Sequence, residues 1–337
     1  MTMSSQNVPR KPASRRVFLL GASGTIGRAT LQALLEADHH VVCFLRKRPD
    51  PKTFPRGAEI RIGDVTCRNS LRDDGFRDET FDGLVSCLAS RTGIPDDAWA
   101  IDHDAHLLAF DAAKTAQVQH VVLLSAICVQ RPLLAFQRAK LAAEKALMGS
   151  GMAYSIVRPT AFFKSLSGQI DRVKAGKPFL LFGDGQLTAC KPISDRDLGQ
   201  YIAKCLVTPD LWNKVLPIGG PGPAITPLAQ GKKLFEILGK EPKFRFVPLA
   251  MMDAIIAILG GLGRMSPHLK ARSELARIGR YYATESMLVY DPVLSAYDAD
   301  ATPSTGTDTL YRFYEDVLAG RETVSLGDHA LFTRNSS

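Results

Sequence analysis

Along the first half of the chain, short apolar runs alternate with longer stretches in which apolar positions recur every three to four residues. The runs at 17–20, 40–45, 59–62, 83–89, 120–126 and 154–157 predict strands, and the periodic stretches at 25–37 and 99–115 predict helices. Strands that alternate with helices build a parallel, doubly wound sheet, so the fold class expected is α/β. A capped helix from Ile193 to Leu206 and a short strand at 214–218 follow. From Gly219-Gly-Pro-Gly222 onward the pattern changes to helices and loops, which predicts a smaller, mainly helical C-terminal cap. The organisation expected is a basic tail at 1–14, a nucleotide-binding domain at 15–222, a substrate-binding cap at 223–320 and a second tail at 321–337. The most apolar window, 247–263, carries one charge, Asp253, and is interrupted by glycines, so it reads as a buried or interfacial helix rather than a membrane span.

The first strand runs straight into Gly21-Ala-Ser-Gly-Thr-Ile-Gly27 and then into a helical pattern. In a dinucleotide cradle the first glycine of such a turn lets the chain reverse sharply. The second lets bare backbone approach a pyrophosphate, and the third brings helix and strand together. Gly21, Ser23, Gly24, Thr25, Ile26 and Gly27 are therefore candidate cofactor residues, with the helix N-terminus aimed at the phosphates. The second strand ends in Arg46-Lys47-Arg48, about 20 residues beyond the glycines, where a carboxylate would bind the ribose 2′-hydroxyl of NAD. Three cations there suit a 2′-phosphate, which makes NADPH the expected cofactor. Asp64 and Val65, after the next strand, are expected on the adenine side.

Composition narrows the rest. With 337 residues and 45% apolar types, the chain can bury one large core or a core plus a cap. A net charge of +8 favours anionic ligands and also an acidic membrane surface. The charges are scattered, without a basic helix or aromatic stacking motif, which argues against nucleic acid. The cysteines at 43, 67, 87, 128, 190 and 205 are never closer than 15 residues, so no CxxC pair exists to hold zinc or an iron–sulfur cluster. That usage fits a reducing cytoplasm. Residues 1–16 lack an apolar h-region, which argues against a secretory signal, and the segment is shorter than an ordinary plastid transit peptide.

Ser125 ends the fifth strand, and eleven residues later a helix begins Phe136-Gln-Arg-Ala-Lys140. In short-chain dehydrogenases a strand-end Ser and a Tyr-x-x-x-Lys helix surround the nicotinamide, and the lysine bonds its ribose. Here the tyrosine position is Phe136, while Lys140 shares its helix face. A phenyl ring cannot donate the proton that polarises a ketone. Two readings survive: a domain that senses NADPH without chemistry, or a reductase of a conjugated alkene, whose electron sink replaces the phenol. A vinyl group on an aromatic macrocycle supplies such a sink, because hydride added at its terminal carbon leaves charge delocalised into the ring.

The runs Leu84-Val-Ser-Cys-Leu-Ala-Ser-Arg91, Leu123-Leu-Ser-Ala-Ile-Cys-Val-Gln-Arg-Pro-Leu-Leu134, Ser155-Ile-Val-Arg-Pro-Thr-Ala-Phe-Phe-Lys-Ser-Leu166, Ala189-Cys-Lys-Pro-Ile-Ser194 and Ile278-Gly-Arg-Tyr-Tyr-Ala283 add to the Phe136–Lys140 motif. Together they resemble the NADPH-dependent divinyl chlorophyllide 8-vinyl reductases, atypical extended short-chain dehydrogenases of the NmrA-like kind. The resemblance spans roughly residues 15–320. It implies reduction of the 8-vinyl group of a divinyl chlorophyllide, or a related magnesium tetrapyrrole, to ethyl in chlorophyll or bacteriochlorophyll synthesis. It also implies NADPH without flavin or iron–sulfur cluster. With the short leader, it places the protein in the cytoplasm of a photosynthetic bacterium, with the membrane surface as a second site. A non-catalytic NADPH-sensing regulator or assembly subunit is the alternative.

Under the resemblance, Cys87, Leu88 and Ala89 lie by the adenosine ribose, and Pro159, Thr160 and Phe162 by the nicotinamide together with Ser125 and Lys140. Phe136, Phe162, Phe163, Met251, Met252, Ile255 and Tyr281 are candidate apolar walls for the macrocycle. Lys164, Lys191, Arg158 and Arg280 are candidate partners for its propionate. Tyr281 and Tyr282 are candidate proton donors, beside water and the ring itself, and Lys140 and Tyr282 are the candidate catalytic pair. His103 and His106 read as surface or helix-packing residues.

Overall fold

The computed structural model describes residues 13–263 and 266–323. Both expected tails therefore lie largely outside the described residues, at 1–12 and 324–337.

Seven parallel strands form the main sheet: β1 (Arg16–Leu20), β2 (His40–Leu45), β3 (Glu59–Ile62), β4 (Gly83–Ser86), β5 (His120–Leu124), β6 (Ala153–Pro159) and, after the short β7 (Phe179–Phe182), β8 (Lys214–Ile218). Their order is β3-β2-β1-β4-β5-β6-β8, a Rossmann-type sheet whose strand order reverses between β1 and β4. Side chains alternate across the pleat. Val17 and Leu19 join Val41, Cys43 and Val85 beneath the Thr25–Glu36 and Asp195–Val207 helices. Phe18 and Leu20 join Val42, Phe44 and Leu84 on the other face, against Phe76, Phe81, Ala105, Ala109 and Phe110.

Two strands stop earlier than their apolar runs. The expected 83–89 ends as a strand at Ser86 and the expected 120–126 at Leu124, because the backbone leaves the sheet where the site opens. The expected 154–157 is longer, Ala153–Pro159, since its pairing continues along β8. The helix expected at 99–115 starts earlier, at Pro95–Ala98, with proline in the first turn. It continues through a π-helical turn, Trp99–Asp104, into Ala105–Thr115.

Beyond the sheet, β7 pairs with β9 (Phe244–Val247) in a parallel two-stranded sheet, and β10 (Val289–Asp291) pairs with β11 (Ala296–Asp298). A separate core joins Phe163, Ile170, Val173, Phe179 and Leu181, from before residue 222, to Leu234, Phe235, Leu310 and Tyr314 beyond it. The apolar window folds as the Leu249–Leu262 helix, which buries none of its residues, against the Pro267–Thr284 helix. No described helix is long and apolar enough to cross a membrane.

The two helices over one sheet face touch backbone to backbone at Gly199. A Cβ there would stand 2.6 Å from the carbonyl of Ala29 and 2.8 Å from the nitrogen of Thr30. This contact holds the helix that follows the glycine turn. Gly199→Ala is expected to cost about 1–3 kcal/mol through overpacking, read as a lower Tm with unchanged far-UV dichroism. An unchanged Tm would mean that the helices separate freely.

Candidate active site

The carboxyl ends of the parallel strands converge at the switch point between β1 and β4, where open α/β sheets bind ligands. Gly21 turns the chain there at φ +77°, and a Cβ on it would lie 2.5 Å from the Cys87 carbonyl. The end of β1 is thus pressed against the end of β4. Ser23, Gly24 and Thr25 are exposed, while Ile26 and Gly27 are buried. The helix begins at Thr25 after Gly24, without a side-chain cap, so its first N–H groups face outward for an anion. These features fit a pyrophosphate. Arg46, Lys47 and Arg48 are exposed after β2. Asp64 accepts hydrogen bonds from the Thr66 N–H (2.8 Å) and hydroxyl (2.7 Å). Those bonds, with the attraction of Arg46, hold its carboxyl below the usual range. Val65 is buried in the sheet core, Cys87 and Leu88 are half-buried, and Ala89 is exposed at the mouth.

Beside the cradle lies a buried polar cluster. The Lys140 ammonium sits 2.9 Å from Asp102, whose side chain is 0% exposed. The Ser90 hydroxyl donates to the other Asp102 oxygen at 2.6 Å, and the Ser90 N–H adds a bond at 3.2 Å. His106 is one helical turn from Asp102. Its Nδ1 lies 3.1 Å from the Ile101 carbonyl, which can only accept, so Nδ1 carries the proton. Nε2 then accepts from the Ser86 hydroxyl at 2.9 Å. Burial, reinforced by the Lys140 charge, pushes the His106 pKa down to about 4, so the ring is neutral. Lys140, Asp102, His106 and Ser125 come together with Leu123, Leu124 and Ala143, leaving no space for a water molecule between them. Ser125 itself donates to Glu144, which is buried and paired with Arg158.

Above this cluster the Pro267–Thr284 helix brings its tyrosines to the Ala135–Met148 helix. Phe136 is buried with Cys128, Ala139 and Tyr281, and Gly93 lies against both Ile278 and the Phe136 ring. The Tyr281 hydroxyl shares its one proton between the carbonyls of Cys128 (2.9 Å) and Arg131 (3.2 Å), which ties it to the scaffold. Tyr282 is 42% exposed as a whole, but its hydroxyl lies 4.0 Å from the Cys128 sulfur in a part-buried contact, and burial pushes its pKa well above the ordinary phenol value. Burial raises the Cys128 pKa, and Lys140 is close enough to pull it back. The tertiary structure thus brings Lys140, Phe136 and Tyr282 around one thiol.

Other candidates are placed differently. Phe163 is buried in the C-terminal core with its ring 5.5 Å from Phe313, and Met252 is half-buried in its helix. Pro159 and Thr160 are buried at the end of β6, where the Thr160 hydroxyl donates to the Lys191 carbonyl. Phe162 is half-buried against the sheet core. All four cations named for a propionate have partners. Lys164 donates to the Thr25 hydroxyl (3.2 Å), Lys191 to the Thr302 carbonyl (2.9 Å), Arg158 to Glu144, and Arg280 to Asp253 (2.8 Å). A cleft of about 700 Å³ opens next to Gly93, lined by Ile94, Asp96, Gly260, Lys270, Glu274 and Arg277 among others.

Sequence reasoning missed Asp102 and Ser90, and left the cleft cations Lys270 and Arg277 unnamed. A signal for Asp102 existed. Asp102 and His106 stand four residues apart on the face that also carries the buried Ala98, Ala105 and Ala109, where a polar pair needs a reason.

Residues 21–209 match the family of NAD(P)H-binding domains. The divinyl chlorophyllide a 8-vinyl-reductase, chloroplastic, of Cucumis sativus is 46% identical over 96% of this chain and 81% of its own length. The corresponding protein of Zea mays is 47% identical over 95% and 84%. Among solved structures, the NADPH-dependent quinone oxidoreductase QOR2 of Escherichia coli, complexed with NADPH, superposes with a TM-score of 0.66 at 16% identity, covering 90% of this chain and 99% of that one. That likeness is one of fold.

Neutral His106 makes stability depend on pH. Its folded pKa is about 4, below the ordinary imidazole value of about 6.5. The unfolded chain therefore binds the proton first, and stability falls as pH drops from about 6.5 toward 4. Between about pH 7 and pH 5 this one group is expected to remove about 2 kcal/mol. Urea unfolding at the two pH values should show a smaller loss for His106→Gln than for the wild type. Equal losses would show that the ring takes up its proton in the folded state.

Proposed function

Because the chain belongs to the divinyl chlorophyllide a 8-vinyl-reductase family, we infer that it reduces the 8-vinyl group of a divinyl chlorophyllide to ethyl with NADPH, in chlorophyll or bacteriochlorophyll synthesis. The observation that carries this reading is identity of almost half over nearly the whole chain, cap included. A non-catalytic sensor or assembly role has less support, because the relatives at this level of identity are named as reductases.

NADPH supplies a hydride when bound. The Gly21–Gly27 turn would hold its pyrophosphate, Arg46, Lys47 and Arg48 its 2′-phosphate, and Lys140 the nicotinamide ribose. Asp102 positions Lys140, and Ser90 positions Asp102 in turn. Phe136 gives the reacting face an apolar wall where a ketone reductase has a phenol. The alkene gains a hydride at its terminal carbon and a proton at its internal carbon, with the macrocycle holding the developing charge. We assign that proton to Tyr282, since among the described residues its hydroxyl has no carbonyl partner while that of Tyr281 has two. The cleft beside Gly93 is the proposed seat of the macrocycle, with Lys270 and Arg277 as cations for its carboxylate. We place the protein in the cytoplasm, working at the surface of photosynthetic membranes.

The test is an absorbance assay of the purified protein with divinyl chlorophyllide and NADPH, in which the pigment should convert to the monovinyl form. Consumption of neither compound would sink the reductase reading. In the same assay Tyr282→Phe should lower kcat about 100-fold, the scale of a lost general acid, with KM little changed. Near wild-type turnover would assign the proton to solvent or the ring. Arg46→Glu should weaken NADPH about tenfold or more, the value of one charge-assisted bond, with a smaller effect on NADH. Equal changes for both cofactors would mean that Arg46 does not read the 2′-phosphate.

A further inference from the structure

The Leu249–Leu262 helix presents an apolar side that no described residue covers. Met251, Ile255, Ile258 and Leu262 are spaced 4, 3 and 4 residues apart and so form one stripe. They are 49%, 43%, 61% and 47% exposed, and Phe246, just before the helix, is 57% exposed. A continuous apolar surface of this kind marks an interaction site. The opposite side of the helix is occupied. The Ile256 carbonyl accepts from Ser273 at 3.4 Å, and Asp253, the only charged residue of the helix, pairs with Arg280 at 2.8 Å.

Exposed cations flank the stripe at both ends. Lys240, Lys243 and Arg245 precede it, with Glu241 the one acid among them, and Lys270 and Arg272 follow the turn beyond it. A two-fold pairing with a second copy would set cationic ends against cationic ends. An anionic, water-facing surface with an apolar interior matches both features at once. Fourteen residues of helix span about 21 Å, too short to cross a bilayer core of about 30 Å but suited to lying along its surface.

We propose that this face docks on a membrane bearing anionic lipid, with the Met251–Leu262 stripe entering the boundary between headgroups and acyl chains. Lys243, Arg245 and Arg272 meet the lipid phosphates. The inference identifies the surface behind the membrane position given above, and rests on the reductase reading only for its purpose, which is access to an apolar pigment.

Flotation of the full-length protein with vesicles tests it. Vesicles of phosphatidylcholine containing about 30% phosphatidylglycerol should carry the protein upward, and phosphatidylcholine alone should not. The variant Ile258→Asp/Leu262→Asp should lower the bound fraction about tenfold while reducing detergent-dispersed divinyl chlorophyllide at the wild-type rate. Lys243→Glu/Arg245→Glu should abolish the preference for the anionic vesicles. Failure to float, equal flotation with both vesicles, or undiminished flotation of the aspartate variant would overturn the proposal. So would a dimer in solution that Ile258→Asp splits, since a second copy would then cover the face. A chain that floats but does not reduce the pigment would leave the docking surface standing and remove the reductase reading. A chain that reduces the pigment without floating would do the reverse.

Discussion

A buried ammonium must be matched, and the region around the site is arranged to meet that requirement. Taking Lys140 out of water costs several kcal/mol unless a counter-charge and hydrogen bonds replace its hydration. Asp102 provides the charge at 2.9 Å, and Ser90 holds Asp102 through both its hydroxyl and its N–H. A second cation beside them would be unfavourable, which is one reason His106 stays neutral. The ring is nevertheless satisfied, because the Ile101 carbonyl and the Ser86 hydroxyl take opposite roles at its two nitrogens. Since Ser86 ends β4, the pair couples the end of the sheet to the Ala105–Thr115 helix.

Around that anchor the aromatic residues divide their work. Phe136 supplies an apolar surface, and Tyr281 locks the cap helix to the carbonyls of Cys128 and Arg131. Of these two tyrosines, Tyr282 is the one without a carbonyl acceptor among the described residues. Reduction of an alkene conjugated to a macrocycle needs a hydride donor held in register and a proton source nearby, but no acid to polarise a carbonyl. A phenylalanine at the usual tyrosine position suits that chemistry. In the proposed reaction the cap contributes the proton donor in place of the helix that normally carries it.

The relation between the two lobes also follows from packing. Residues 163–182 precede the last helix–strand unit of the sheet, yet Phe163, Phe179 and Leu181 bury themselves with Leu234, Phe235 and Tyr314. The chain leaves the sheet after β6, contributes a helix pair and β7 to the other lobe, and returns for the Asp195–Val207 helix and β8. Two crossings of this kind tie the cap to the strand ends where the site lies.

Local pattern alone determined the sheet strands, the glycine turn and the basic cluster after β2, because each depends on neighbours a few residues away: side-chain alternation, a turn at positive φ, a run of charge. The same holds for the Phe136–Lys140 helix face. The strands β7, β9, β10 and β11 were not legible, since runs of three or four residues acquire strand character only when a partner completes their hydrogen bonds. Whether Lys140 was solvated or buried depended on Asp102, 38 residues earlier in the chain, and which tyrosine was tied down depended on carbonyls about 150 residues away. The exposure of the Leu249–Leu262 stripe was likewise undecided by its composition, because an apolar helix reads the same whether or not other elements cover it. Burial is a property of what the rest of the chain brings into contact, and only the tertiary structure decides that.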